Sequence, residues 1–134
     1  MTSTPGLIAV DPFDLPEWLG ERDVIWSAEA GLRTSSSVPG GLVADGHDVL
    51  PCDLLAVDDA YPTPVAGDDV RLRAHQAWRH GEVFLADRDG RLTLAVPGTT
   101  FSADLVLDAV SRLARAVGAS ADHYSVRLRI GLTR

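Results

Sequence analysis

Residues 82–96 read EVFLADRDGRLTLAV, and this stretch decides the class of the fold. Two apolar halves flank the turn-forming segment DRDG, a pattern that predicts a β-hairpin and therefore an antiparallel pair of strands. We expect Gly90 to adopt the left-handed conformation and Asp87 to lie opposite Arg91. The tighter register would place Arg88 opposite Arg91, and like charges directly opposite each other are destabilising.

An amphipathic helix is predicted on each side of this hairpin. Before it, residues 69–80 carry apolar side chains at helical spacing and are followed by Gly81, which favours the end of a helix. After it, residues 100–118 carry an apolar arc of about 180°, with Thr100 or Ser102 as the N-cap. That arc is wider than a surface helix needs.

The remaining strands are predicted from alternation and from turn signals. Asp45-Gly46 separates two apolar segments and suits a tight hairpin turn. Pro51 cannot donate to a ladder, so we expect its strand to lie at an edge or to bulge there. The predicted strands cover residues 24–29, 42–44, 47–57, 82–86, 91–96 and 124–130.

The element order is therefore roughly βββαββαβ within one globular domain over residues 1–134. A hairpin demands antiparallel neighbours, whereas the second helix can cross over to a parallel last strand. We predict an α+β, two-layer domain with a mostly antiparallel sheet and both helices on one face. The other face is then the place where a partner can bind.

Composition identifies a protein with enough apolar residues to build a core. The chain has 134 residues, of which 46% are hydrophobic and 23% charged, with one cysteine and a formal net charge of −7. No apolar run approaches the roughly 20 residues that span a bilayer, and no cationic segment precedes a signal-like run. We expect a cytoplasmic protein.

Two residue types are missing from the chain. All twelve Lys and Arg positions are Arg, and there is no Asn, so the codon usage predicts a GC-rich genome such as that of an actinobacterium.

Charge is distributed unevenly along the chain. Residues 1–70 hold thirteen Asp and Glu against two Arg, and residues 71–134 hold ten Arg against six Asp and Glu. Such halves can neutralise each other within one fold or across a dimer. Together with the wide apolar arc and the open strand edges, this distribution predicts a twofold homodimer.

The densest set of reactive side chains comprises His47, Asp48, Cys52 and Asp53. On a strand, Cys52 and His47 point to opposite faces unless Pro51 introduces a bulge, and this geometry argues against activation of the thiol by the histidine. We expect Cys52 to be a small apolar core residue, and we predict no catalytic residue. A pocket between the Asp45 hairpin and residues 58–69, lined by His47, Asp53 and Tyr61, would instead indicate a small enzyme or a small-molecule-binding protein.

Basic side chains lie on two predicted elements. Arg71, His75 and Arg79 form a stripe beside Trp78 on the first helix, and Arg127 and Arg129 lie on the last strand. Guanidinium groups beside an aromatic ring can bind single-stranded nucleic acid. A net charge of −7 opposes this through repulsion, so we do not expect a nucleic-acid partner, and core packing is the better explanation for the indole.

Two weaker signals concern small ligands. Thr99 and Thr100 lie before a helix amino terminus, where free backbone amides favour an anion, but a structural cap explains them better. His75 and His80 are five residues apart and do not share a helix face, so they do not form a metal pair. We predict no metal and no cofactor.

These observations favour a noncatalytic cytosolic protein-interaction or regulatory domain. No set of nucleophile, base and oxyanion-stabilising groups can be assembled from the sequence. The alternative is the small enzyme or ligand-binding protein with its pocket near residues 45–69.

Overall fold

The computed structural model describes residues 7–29, 37–58, 67–98 and 101–128. Eight strands and two α-helices lie in these ranges. The helices are α1 (Asp68–Arg79) and α2 (Ala103–Ala116). The strands are β1 (Ile8–Ala9), β2 (Val24–Ala28), β3 (Ser37–Val38), β4 (Gly40–Val43), β5 (Leu50–Ala56), β6 (Phe84–Arg88), β7 (Arg91–Val96) and β8 (Tyr124–Arg127).

The strands form one mixed sheet in the order β1-β6-β7-β5-β4-β2-β8, and β3 also pairs with β5. The pairs β5 with β7 and β2 with β8 are parallel. The other strand pairs of the described sheet are antiparallel. The predicted α+β class is confirmed, and the last strand is parallel to its neighbour, as a crossover through the second helix allows.

The expectation that both helices cover one face of the sheet is not confirmed. Ala74 of α1 packs in a cluster with Leu55 and Ala95, whereas the buried side of α2 packs in the main core with Leu54 and Leu94. Neighbouring residues of a strand point to opposite faces. Ala74 of α1 and the buried side of α2 therefore lie against opposite faces of β5 and β7, whereas Trp78, near the end of α1, packs against the main core and contacts Arg112 of α2. The apolar periodicity of a helix does not specify which face it covers.

Both helices lie where their sequences predict them. Ser102 caps α2 by accepting a hydrogen bond from the backbone N–H of Leu105 at 3.2 Å. Leu113 and Val106 of α2 are fully buried, which confirms the apolar arc. Leu107, in contrast, is 52% exposed. The tight hairpin turn predicted at Asp45-Gly46 is wrong, because Leu42 pairs with Leu50 and the connection between β4 and β5 is therefore longer than two residues. Gly46 lies in this connection with φ 82°, in the left-handed region that favours glycine.

The predicted register of the 82–96 hairpin is wrong. Arg88 lies opposite Arg91, and Asp87 lies opposite Leu92. Asp89 and Gly90 have φ values of 57° and 81°, which give the two-residue turn that matches the twist of the strands. The like charges are tolerated because Arg91 is neutralised by carboxylates from distant strands, as described below.

The expectation that the strand of Pro51 lies at an edge or bulges is also wrong, because β5 is a central strand. Pro51 lies near the start of β5, opposite Gly41, and pairing with β7 begins only at Cys52. The missing N–H therefore removes no hydrogen bond to β7. At the amino-terminal turn over residues 12–14, Asp11 is the cap, because its carboxylate accepts from the N–H of Phe13 at 3.0 Å.

Candidate functional site

A buried carboxylate is the first feature of the candidate site. Asp53 lies on β5, is 4% exposed, and accepts hydrogen bonds from the Arg91 guanidinium of β7. Arg91 Nη2 and Nε lie 2.8 and 3.0 Å from the two carboxylate oxygens. The backbone N–H of Gly40 donates to the same carboxylate at 3.2 Å. Such a two-point arginine contact is among the strongest side-chain hydrogen bonds.

Arg91 extends this contact to two more strands. Its Nη2 atom lies 2.9 Å from a carboxylate oxygen of Glu29 and 3.1 Å from the carbonyl oxygen of Gly40. The hydrogen bonds to Asp53 and then to Glu29 raise the pKa of Arg91 above its already high ordinary value. Arg91 thus links the end of β2, β4 and β5 to β7, and Asp53 is committed to this link. We call Asp53, Arg91 and Glu29 the carboxylate brace.

Beside the brace, part of the sheet face is accessible to solvent. Ile25, Ser27 and Val43 alternate with buried residues and are half-buried, whereas Ser125 and Arg127 of β8 are exposed. The register places Ile25 beside Ser125 and Ser27 beside Arg127, so all of them share one face. These five residues, on the face opposite to α2, are called the open face.

A small cavity lies at one end of the open face. Its volume is about 260 Å³, and it is lined by Arg22, Asp23, Ile25, Val43, Ala44 and Asp45. Cavities that hold drug-sized ligands begin at roughly 300 Å³. The described cavity is therefore smaller than the cavities that hold drug-sized ligands, and its lining combines apolar side chains with charges of both signs.

Cys52 is buried on the other face of β5, among the core residues. Burial raises the pKa of its thiol, and the Asp53 carboxylate raises it further. A thiol in this state is protonated at neutral pH and is a poor nucleophile. Its backbone carbonyl is engaged as well, because it accepts from the Trp26 indole N–H at 2.9 Å.

The residues predicted to line a pocket have separate partners. The His47 ring stacks on Trp18, with ring centroids 4.7 Å apart and planes 12° from parallel, whereas Asp53 belongs to the carboxylate brace. Tyr61 lies outside the described residues. His47 is therefore a packing residue of the hairpin turn in the described structure.

Two predicted candidates on α1 do share a cavity. Arg71 and His75 line a cavity of about 540 Å³ together with Asp68 and Leu72. Arg71 forms a salt bridge with Asp68, and a ring nitrogen of His75 lies 3.1 Å from the carbonyl oxygen of Val57. Both side chains thus have partners within the chain.

The remaining basic candidates do not join that cavity. Arg79 is exposed at the end of α1, and Arg127 is exposed on β8. The guanidinium of Arg112 lies 3.8 Å above the Trp78 ring, so one face of the indole is covered, and Trp78 also packs against the main core. Thr99, Thr100 and Arg129 lie outside the described residues.

Sequence reasoning missed the partners that define this site. Arg91 and Glu29 are 62 residues apart, and Arg91 and Asp53 are 38 apart, so no local spacing links them. Arg112 of α2 also contacts both the Trp78 ring and the Trp78 carbonyl oxygen, a contact between residues 34 apart in the chain. The sequence offers only an indirect sign of these contacts, because a charged residue such as Asp53 in a central strand needs a partner of opposite charge.

Comparison of this chain with protein-family models, with curated proteins and with solved structures finds no match. Across the described ranges, no group of three or more His, Cys, Asp or Glu side chains is placed to hold a metal ion. Neither α1 nor α2, the helices of the described structure, has the length and apolarity needed to cross a membrane.

Proposed function

We propose that this chain is a noncatalytic protein-interaction or regulatory domain of the cytoplasm, and that a protein partner docks on the open face. The observation that carries the proposal is the partial exposure of Ile25 and Val43 beside the exposed Arg127 on one sheet face. Apolar side chains bordered by polar ones are the usual composition of a protein contact.

The charge of the open face indicates the chemistry of the partner. Arg127 is exposed at β8, and Arg22 lines the cavity at the other end, next to Asp23 and Asp45. A protein segment that presents an apolar side chain and a carboxylate fits this arrangement. The apolar group would cover Ile25 and Val43, and the carboxylate would pair with Arg127.

The carboxylate brace supports this function as a scaffold. It ties together the strands beside the open face, and its buried carboxylate is already saturated by Arg91 and Gly40. A rigid surface loses less conformational entropy when a partner binds. The brace therefore contributes to binding by holding the strands of the open face in place, without contacting the partner.

Site-specific photo-crosslinking tests the proposal. A photoreactive amino acid replaces Ser27 on the open face, and a matched variant carries it at Arg73, an exposed residue of α1. In living cells we expect one defined adduct from position 27, competed by excess unlabelled chain, and none from position 73. No adduct from position 27, or the same adducts from both positions, contradicts the proposal.

A further inference from the structure

The exposed side of α2 carries an ordered stripe of four residues. Asp104, Leu107, Ser111 and Arg115 are spaced by three, four and four positions, so they follow one face of the helix. Asp104, Leu107 and Arg115 are exposed, and Ser111 is half-buried. The stripe thus runs from an acid through an apolar and a small residue to a base. We call these four residues the α2 stripe.

The stripe lies beside the last strand of the described sheet. Leu107 and Ser111 line a groove of about 170 Å³ together with Ser125 and Val126 of β8. β8 pairs with β2 on one side and ends the strand order on the other. An edge strand offers backbone groups that can pair with another strand.

The charge order makes the stripe complementary to a second copy of itself. In a twofold contact the two helices run antiparallel, so the beginning of one stripe meets the end of the other. Asp104 of each copy then lies beside Arg115 of its partner, and Leu107 lies beside the small side chain of Ser111. Within the described part of the chain, neither Asp104 nor Arg115 forms a salt bridge.

We infer that the α2 stripe and the β8 edge form the interface of a twofold homodimer. Leu107 supplies the apolar contact, Asp104 and Arg115 set the antiparallel orientation, and the two β8 strands extend the sheet across the symmetry axis. This inference rests on the proposed function as a protein-contact domain, but it assigns a surface on the helix side of the sheet, which borders the open face at Ser125 of β8.

Sedimentation equilibrium of the full chain tests the inference. We expect a species of twice 14.3 kDa at micromolar concentration, which is weakened but not abolished by salt. Leu107→Asp should weaken association by about tenfold or more, because a charge replaces a central apolar contact. The matched control is Leu72→Asp, since Leu72 is 59% exposed on α1 and should leave the dimer unchanged.

A charge exchange identifies the second copy as the partner. Asp104→Arg and Arg115→Asp should each weaken the dimer by about tenfold, because each replaces two attractive pairs with like charges. The double variant should recover most of the lost affinity. If the two charges acted only through the helix dipole, the double variant would be weaker than either single variant. It places a cation near the amino terminus of α2 and an anion near the carboxyl terminus, and both are unfavourable.

A single 14.3 kDa species for the wild-type chain at all salt concentrations would overturn the inference. An equal loss of dimer affinity in the Leu72→Asp and Leu107→Asp variants would also overturn it. So would a double charge variant whose dimer is weaker than the dimers of both single variants. Circular dichroism confirms that each variant is folded. A monomer would leave crosslinking at position 27 unaffected, so the failure of this inference is distinguishable from the failure of the proposed function.

Discussion

Arg91 of β7 approaches both carboxylate oxygens of Asp53 on the adjacent parallel strand, at 2.8 and 3.0 Å, and its Nη2 atom also donates to Glu29 at 2.9 Å. One side chain thereby offsets a buried negative charge and also removes the repulsion from Arg88, which lies opposite it in the hairpin. The same contact fixes the strands that border the open face.

Arg91→Ala should lower the free energy of unfolding by about 2 kcal/mol or more, because it leaves the buried carboxylate of Asp53 without its cation. The matched control is Arg88→Ala. Arg88 is half-buried and contacts the hydroxyl of Ser37 at 3.4 Å, so its loss should cost about 0.5 kcal/mol or less. Chemical denaturation measures both. Equal losses would contradict a special role for Arg91.

Combining Arg91→Ala with Asp53→Asn should cost less than the sum of the two single changes. Each single variant leaves one charged partner without the other, whereas the double variant removes the charge and its counter-charge together. A double-mutant cycle in urea gives the coupling free energy. Strict additivity would show that the two side chains stabilise the fold independently.

Leu113→Ala should destabilise the protein by roughly 2 to 5 kcal/mol, because Leu113 is fully buried in the main core beneath α2. The control is Leu72→Ala at an exposed position of α1, where the expected loss is about 0.5 kcal/mol or less. A loss below about 1 kcal/mol for Leu113→Ala would contradict the helical phase of α2.

Gly40→Ala should destabilise the fold more than Gly41→Ala. An added Cβ at Gly40 would lie 2.6 Å from the Trp26 ring and 2.8 Å from the backbone oxygen of Ser27, neither of which can move freely. At Gly41 the closest atom, at 2.7 Å, belongs to the exposed side chain of Val49, which can turn away. Overpacking of this kind costs about 1 to 3 kcal/mol. Thermal unfolding of the two variants tests the order.

Cys52 should react slowly with a thiol reagent in the native protein and rapidly after denaturation, because burial keeps its proton on the sulfur. The same burial links stability to pH. The thiol of the unfolded chain has a pKa of about 8.5, and the thiol of the folded chain has a higher pKa. The free energy of unfolding should therefore fall as the pH rises above about 8.5. Cys52→Ala should reduce this pH dependence. Rapid labelling of the native chain at neutral pH would instead show an accessible, activated thiol.

The sequence predicts those parts of the fold that local patterns determine. Apolar periodicity located both helices, and the glycine turns located both hairpins, because these signals act over a few residues. The register at Arg88 and Arg91 depends on Asp53 and Glu29, which are 38 and 62 residues from Arg91. The residues near the hairpin turn therefore predict repulsion between Arg88 and Arg91, whereas in the folded chain distant carboxylates neutralise Arg91.

The candidate site was predictable to a smaller extent. Asp53 and Arg127 were singled out from the sequence, but their settings differ, one in a saturated brace and the other on an accessible face. The side of the sheet that each helix covers decides which residues are accessible. An amphipathic pattern shows that a helix has an apolar side, but it contains no information on that choice.

The adduct yield from position 27 in a chain that also carries Arg127→Glu tests most sharply whether another protein docks on the open face. We expect the adduct formed by the otherwise wild-type chain to disappear, because a carboxylate of the partner loses its cation and meets a like charge. The Arg79→Glu change on α1, a matched control at another exposed arginine, should leave the adduct intact. An adduct that persists unchanged with Arg127→Glu would contradict the claim.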